Sequence, residues 1–307
     1  MMIDLHLHTS ASDGADSTAE LLQKCEACGL SLISITDHNS MAAYQDLKDP
    51  KIRRLFSGKI LPGCEFTAQY KGQLIEILGY GIHPIAAGNF LSTAYISNET
   101  RRTLQEEQMI ETYRKQGFTF DEAAVRKNFR SATHPLTGKE SQDPRTAFWL
   151  ELNRYPENQA RYTEPDSCNN YKSFMRREFS NIKSPFFFNM ERLLPSAETV
   201  CFAIKSMGGK AIIAHPGGYN QPIYEMMEDL IKEAKPHGLE AWYSIHTPQQ
   251  KAELSALCKK YGLIFSGGSD YHGAWRECRG NILGMPNLSG LLPEREILEW
   301  AEQMNLI

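Results

Sequence analysis

Residues whose types and spacing could hold a metal ion cluster at the start of the chain. In Ile3-Asp4-Leu5-His6-Leu7-His8-Thr9-Ser10, apolar Ile3, Leu5 and Leu7 alternate with Asp4, His6 and His8. That is the period of a strand, and it aims both imidazoles at one face. Two imidazoles two residues apart can grip one ion. Asp13, on a turn that Gly14 helps to shape, is the next potential ligand. The pair also has a plainer reading, as two half-buried strand histidines.

The elements that would position these groups favour the first reading. Residues 17–29 read as a helix, with Ser17 and Glu20 forming a capping box and Gly29 a stop. A β-rich run over 30–36 follows and ends in Asp37-His38-Asn39. Strand, helix and strand in succession predict a βαβ unit with its strand ends side by side, so His8 and His38 fall at one edge. Residues 59–66 read as a third strand carrying Glu65, and 74–82 as a fourth carrying Glu76. A carboxylate inside so short and apolar a strand faces either solvent or a cation.

The alternation returns after Pro195. A helix over 197–207 capped by Ser196 leads to a strand at 210–214 that runs into His215-Pro216-Gly217-Gly218. A helix over 224–235 and a strand over 238–243 lead to His246. A helix over 248–260 precedes the run 263–272, which contains Ser269-Asp270-Tyr271-His272, and a last helix covers 293–304. His237, beside Pro236 and Gly238, reads as an exposed turn residue without a task. Each strongly read strand thus ends in or beside His6, His8, Asp13, His38, Glu65, His215, Asp270 or His272, with Glu76 slightly deeper. Mixed imidazole and carboxylate ligands suit Zn²⁺, Mn²⁺ or Fe²⁺, and there are enough for two or three ions. A bridging Glu65 would hold two of them roughly 3.5–4 Å apart, the spacing of hydrolytic dinuclear sites.

Between about 84 and 194 the rhythm is absent. Helices are predicted over 99–116 and 121–129, followed by a long stretch without period, the pattern of an inserted subdomain or lid. Arg176, Arg177 and Lys183 lie near Phe174, Phe179 and Phe186-Phe187-Phe188. They read either as solvated charges over a small apolar core or as a grip for phosphate.

Composition narrows the setting. The chain has 307 residues and a net charge of −4, with no basic tail, so nothing points to a stable nucleic-acid partner. No apolar run approaches the roughly 18 residues of a membrane span, and no signal-peptide profile opens the chain. The reading is cytoplasmic. Seven cysteines without framework spacing predict reduced thiols. Cys25 and Cys28 form a C-x-x-C, but both fall on the apolar stripe of the 17–29 helix, which predicts core packing.

Taken together, the H-L-H with Asp13, Thr36-Asp37-His38, Gly63-Cys64-Glu65, Ala214-His215-Pro216 and the G-G-S-D-Y-H at 267–272 resemble the PHP superfamily, named for polymerase and histidinol phosphatase domains. Gly238-Leu239-Glu240 leading to His246, then Gly262-Leu263, fits its nucleotide-phosphoesterase branch. The resemblance covers about 3–83 and 195–285. It implies an α/β fold, a distorted (β/α)7 barrel over 1–83 and 195–307, with 84–194 inserted as a mainly helical cap over the substrate. It also implies three metal sites: His6, His8, Glu65 and Asp270 at one, and Asp13, His38 and His272 at another. The third would use Glu65, His215 and a residue on the fourth strand, where relatives commonly carry histidine and this chain has Glu76; His83 is the alternative. The arginine-histidine pair that opens the relatives' helical segment has its nearest counterpart at Arg130 and His134, so His134, Arg177 and Lys183 are the candidates for holding substrate.

The expected activity is hydrolysis of a phosphate monoester by a metal-bridging hydroxide. The substrate would be a small phosphorylated metabolite such as a nucleotide or nucleoside 3',5'-bisphosphate. His246 is either the proton donor to the leaving oxygen or a surface-loop histidine, and Asp37 orients a ligand or backbone. Rival readings are a metal-dependent C–N hydrolase, a DNA-directed nuclease and a non-catalytic metal-binding module.

Overall fold

The computed structural model describes residues 2–128, 132–135, 138, 140–141, 143–219, 221–277, 280–284 and 294–303. Its strands, in chain order, are β1 (Ile3–Leu7), β2 (Leu32–Ile35), β3 (Lys59–Ile60), β4 (Gly63–Tyr70), β5 (Gln73–Tyr80), β6 (Ala132–Thr133), β7 (Glu140–Ser141), β8 (Lys210–Ile213), β9 (Gly238–Tyr243) and β10 (Ile264–Gly268). The first βαβ unit forms as its sequence dictates. Ser17 caps helix Thr18–Ala27 through a reciprocal capping box with Glu20, and β1 and β2 pair in parallel on either side of it. Cys25 is buried on that helix and Cys28 exposed, and burial pushes the Cys25 thiol well up, so it stays a packing residue.

Hydrogen bonding organises the strands into a mixed α/β fold with two principal sheets, β1-β2-β3 and β10-β9-β8-β5-β4, and the small pair β6-β7. Single parallel bridges, Leu7 with Tyr271 and His38 with Glu65, join the two principal sheets at both margins. Among the described residues no continuous ladder closes a barrel. One reason is a break within the third predicted strand, where β3 and β4 are separated at Leu61-Pro62; proline has no N–H to continue a ladder. The other is orientation. β4 and β5 form a tight antiparallel hairpin, with Lys71 and Gly72 both at positive φ in its two-residue loop. β5 then lies antiparallel to β8, while β8, β9 and β10 run parallel. The start of β5, with Glu76, therefore lies at the same edge as the ends of β1, β2, β8 and β10.

A register shift between Asp4 and Leu7 places an extra residue in β1 against β2. Ile3 and Leu5 pack with Leu78, Tyr80, Ile212 and Trp300 in a central cluster, whereas Leu7 joins the larger core of Leu21, Ile35, Phe66, Ile77 and Ile213. The simple alternation expected for β1 is thus bent, as bulges do where a side chain must be re-aimed. His237 departs from its expected idleness. It is half-buried, its Nδ1 accepts from the Ala211 N–H at 3.0 Å, and its carbonyl accepts from the Ile264 N–H at 2.9 Å, so it ties β8 to β10. Burial, then Lys210 and Lys205, hold its pKa down near 4.

The segment over 84–194 has a core of its own, rich in aromatic side chains: Tyr113, Phe118, Phe148, Phe174, Phe186 and Phe188. Helices Asn98–Lys115 and Glu122–Asn128 build its first half, whereas helix Pro84–Ala94 packs Ala87, Phe90 and Leu91 against the larger core of the strands. The stretch expected to be irregular contains helix Pro144–Leu152, N-capped by Asp143 with proline at its first position. No helix among the described residues is long and apolar enough to cross a membrane.

Candidate metal centre

The strand ends bring three groups of ligand atoms together at one edge. In the first, His6 Nε2 and His8 Nε2 each lie 3.3 Å from Glu65 Oε2, and 3.4 and 3.2 Å from Asp270 Oδ1. In the second, Asp13 Oδ1 lies 3.1 Å from His272 Nε2, 3.7 Å from His38 Nε2 and 3.8 Å from His8 Nδ1. In the third, His215 Nε2 lies 3.1 Å from Glu65 Oε1 and 3.2 Å from Glu76 Oε2, and His38 Nδ1 lies 3.0 Å from Glu65 Oε2. All nine expected ligand residues are present, with His8, His38 and Glu65 each reaching two groups. Glu76 arrives because it shares a face of β5 with Leu78 and Tyr80 of the central cluster. His83, its alternative, is exposed at the N-cap of helix Pro84–Ala94.

His6 Nε2, His8 Nε2 and Glu65 Oε2 are fully buried yet make no hydrogen bond. Leaving such atoms unsatisfied costs on the order of 1–3 kcal/mol each. Ligands about 2.1 Å from one ion lie roughly 3–3.4 Å from one another, and these atoms have that spacing. The donor set therefore fits divalent ions. Electrostatics agree. Burial alone would lower the pKa of His6, but Glu240, Glu65 and Asp270 raise it well above its ordinary value. His8 is raised to about 9 against the same opposition from burial, by Asp270 and Glu65. His215 is raised by Glu65 and Glu76. Burial disfavours the charged forms of Glu65 and Asp13, but the imidazoles win: Glu65 is held well down, and Asp13 near 2.

A second layer holds these groups, and sequence reasoning missed most of it. Asp37 behaves as expected: its carboxylate accepts from the Thr9 N–H, Thr9 Oγ1 and Ser12 Oγ, all at 2.7 Å, fixing the turn after β1. Buried Glu240 accepts from His6 Nδ1 at 2.9 Å and from the His215 N–H at 2.7 Å, so one carboxylate orients two ligands. Tyr243 donates to Asp270 Oδ2 at 2.9 Å. Arg276 stands 3.5 Å from Asp13 Oδ2 and 3.6 Å from Asp270 Oδ2, on the sides of both carboxylates turned away from the imidazoles. Gly268 lets β10 pass against β1, since a Cβ there would sit 2.3 Å from the Cβ of His6.

The other predicted site residues stay outside this array. His246 is 6 % exposed; its Nδ1 donates to the Ala241 carbonyl at 3.1 Å and its Nε2 accepts from the Gly217 N–H at 3.0 Å. It is thus no surface-loop histidine, and neither nitrogen is open to a leaving group. Arg177 is exposed and pairs with Glu164 at 3.0 Å, Lys183 is exposed, and the His134 ring stands edge-on to Tyr171.

None of those three lines the cleft beside the metal ligands. That cleft, about 310 Å³, runs from Glu76, His215 and Tyr219 to Arg145, Phe179 and Phe187 of the segment over 84–194. Arg145, paired with Asp143 at 2.8 Å and lying 5.5 Å over the Phe179 ring, is its cation. A neighbouring cleft of about 390 Å³ shares Arg145 and adds Arg101 and Arg102. Burial, and to a smaller extent Arg102 and Arg145, push the pKa of Arg101 down.

Comparison with known proteins follows the same lines. The chain is 24% identical over 278 residues to the 5'-3' exoribonuclease Rnm of Escherichia coli (strain K12), covering 89% of this chain and 85% of that one. It is 24% identical over 277 residues to the 3',5'-nucleoside bisphosphate phosphatase of Chromobacterium violaceum, covering 88% and 87%. A solved structure from Chromobacterium violaceum, described as an amidohydrolase with bound sulfate and no metal, superposes with a TM-score of 0.55 at 22% identity, covering 93% and 98%, and so shares the fold. Residues 4–154 match the family model of the PHP domain, the family that the sequence motifs resemble.

Proposed function

We propose that the protein is a metal-dependent phosphoesterase that releases phosphate from a small phosphorylated metabolite of the nucleotide type, nucleoside 3',5'-bisphosphates first among them. The observation that carries this reading is a ligand array with orphaned buried nitrogens whose Glu76 and His215 line a cleft that also holds Arg145. The names of the two curated relatives, one an exoribonuclease and one a bisphosphate phosphatase, support a nucleotide substrate. We read the two principal sheets as a distorted (β/α)7 barrel over 1–83 and 195–307; the bridges at both margins support that reading. We take 84–194 as an inserted cap; the separate aromatic core, whose buried residues run from Met109 to Leu194, supports this for all but its first helix.

His6, His8, Glu65 and Asp270 would hold one ion, Asp13, His38 and His272 with His8 a second, and Glu65, Glu76 and His215 with His38 a third. Glu76 makes the third set rich in oxygen, which suits Mn²⁺ better than a softer ion. Bound here, divalent ions supply the Lewis acidity that activates water for attack at phosphorus and neutralises charge on the phosphoryl oxygens. The chain's own residues position the substrate. Arg145 faces the metal ligands across the cleft and offers a planar fork to phosphate. Phe179 and Phe187 wall the space between and exclude water, and Arg101 and Arg102 receive a second phosphate.

Two measurements test this. Protein purified without chelator is expected to carry two or three Mn, Fe or Zn per chain and to release phosphate from nucleotides but not ammonia from amides. Fewer than one ion per chain, not restored by added metal, would leave a binding module; metal with amide cleavage alone would make it a C–N hydrolase. Replacing Arg101 and Arg102 together by Met is expected to raise KM for a nucleoside 3',5'-bisphosphate about 10–100-fold, the range of a lost charge-assisted contact. The kcat should change less than about threefold, as for an interaction that binds substrate and transition state alike. An unchanged KM would remove the second phosphate from that cleft.

A further inference from the structure

His215 holds a backbone conformation that its residue type disfavours, with φ 28° and ψ 53°. Strain of this kind persists only where the surroundings over-determine it. Three side chains do so here. Glu240 Oε2 accepts from the His215 N–H at 2.7 Å. Two residues on, both polar backbone groups of Gly217 are taken by side chains: His246 Nε2 accepts from its N–H at 3.0 Å, and Gln250 Nε2 donates to its carbonyl at 2.9 Å. The fit is close enough that a Cβ on Gly217 would sit 2.8 Å from His246 Cδ2. The tautomer of His246 follows from its partners. The Ala241 carbonyl can only accept, so Nδ1 carries the hydrogen; the Gly217 N–H can only donate, so Nε2 is bare.

We infer that His246 is a positioning residue and not a proton donor. As a neutral imidazole it locks the turn His215-Pro216-Gly217-Gly218, so that His215 Nε2 faces Glu65 and Glu76. An imidazolium would set its second N–H against the Gly217 N–H and release the turn. This inference rests on the reading of His215 as a metal ligand.

The test compares His246→Leu with His246→Gln, whose carboxamide offers one donor and one acceptor but exchanges no proton near neutral pH. Bound Mn²⁺ per chain is counted after equilibrium dialysis. Phosphate release is followed from p-nitrophenyl phosphate, whose leaving group needs no proton, and from an alkyl phosphate, whose leaving group does. The leucine variant is expected to bind its weakest ion at least tenfold less tightly, as when a supporting partner of a ligand is lost, and to slow on both esters by the same factor. The glutamine variant is expected to recover both within threefold. A glutamine variant that binds full Mn²⁺, works on p-nitrophenyl phosphate and fails on the alkyl ester would make His246 a proton donor and overturn the inference. So would a leucine variant with undiminished Mn²⁺. If the wild type hydrolyses neither ester, the phosphoesterase reading fails while the Mn²⁺ count still decides the role of His246.

Discussion

Asp270→Asn is expected to lower phosphate release by about 10³-fold or more, the several kcal/mol that a metal's charge stabilisation supplies, while the protein stays folded. Asp270 Oδ1 faces His6, His8 and His272 at 3.2–3.4 Å, and Oδ2 accepts from Tyr243. Asparagine keeps the shape and can still accept from Tyr243, but it sets an NH₂ toward the imidazoles and removes the charge. It is also the gentlest replacement for the backbone. Asp270 sits at φ 54°, where asparagine is among the few non-glycine residues at ease. A Tm within about 5 °C of the wild type, with bound metal lost, is the expected pair of readings; full activity would remove Asp270 from the centre.

Metal uptake is expected to release at least two protons per chain at pH 7.5. Without ions His6, His8 and His215 are all raised, His8 to about 9, because Glu65, Asp270, Glu76 and Glu240 surround them. At pH 7.5 these imidazoles hold protons, whereas a ligand imidazole must be neutral. Protons and ions therefore compete. The sign follows: affinity falls as pH drops through the raised pKa values of these imidazoles, by up to tenfold per unit for each proton displaced. Titration calorimetry with Mn²⁺ in buffers of different ionisation heat counts the protons. A heat independent of buffer would mean that the imidazoles are neutral beforehand, and that the carboxylates do not govern them.

The gathering of the candidate ligands was legible in the sequence for a reason independent of the details of the fold. His8, His38, His215 and Asp270 each sit at the end of a strand-like run, and strands linked by crossovers gather their ends at one edge. Glu76 was legible because a carboxylate flanked by apolar residues in a short strand must find a cation or water. The same signal stands at Glu240, between Leu239 and Ala241. It went unread because its partners, His6 and the His215 backbone, come from β1 and the end of β8, and no local pattern reports that adjacency. Arg145 was hidden behind Pro144. The proline read as part of an irregular stretch, while Asp143-Pro144 is a helix start that presents the arginine in the first turn. His246 was read by its place in the chain, and only the backbone of Gly217, which a side-chain pattern does not contain, shows its engagement. The direction of β5 turned on two residues, Lys71-Gly72, a weaker hairpin signal than asparagine or aspartate before glycine.

The single bridges between the two sheets carry a consequence for the protein as a thermodynamic system. Leu7 pairs with Tyr271 and His38 with Glu65, so each seam lies next to residues that belong to the ligand array. Ions seated there would join the sheets across the positions where backbone pairing is thinnest. Whatever free energy the assembled fold adds to the affinity for metal, the metal returns to the fold in equal measure. For this chain the fraction folded and the fraction loaded are two readings of one equilibrium.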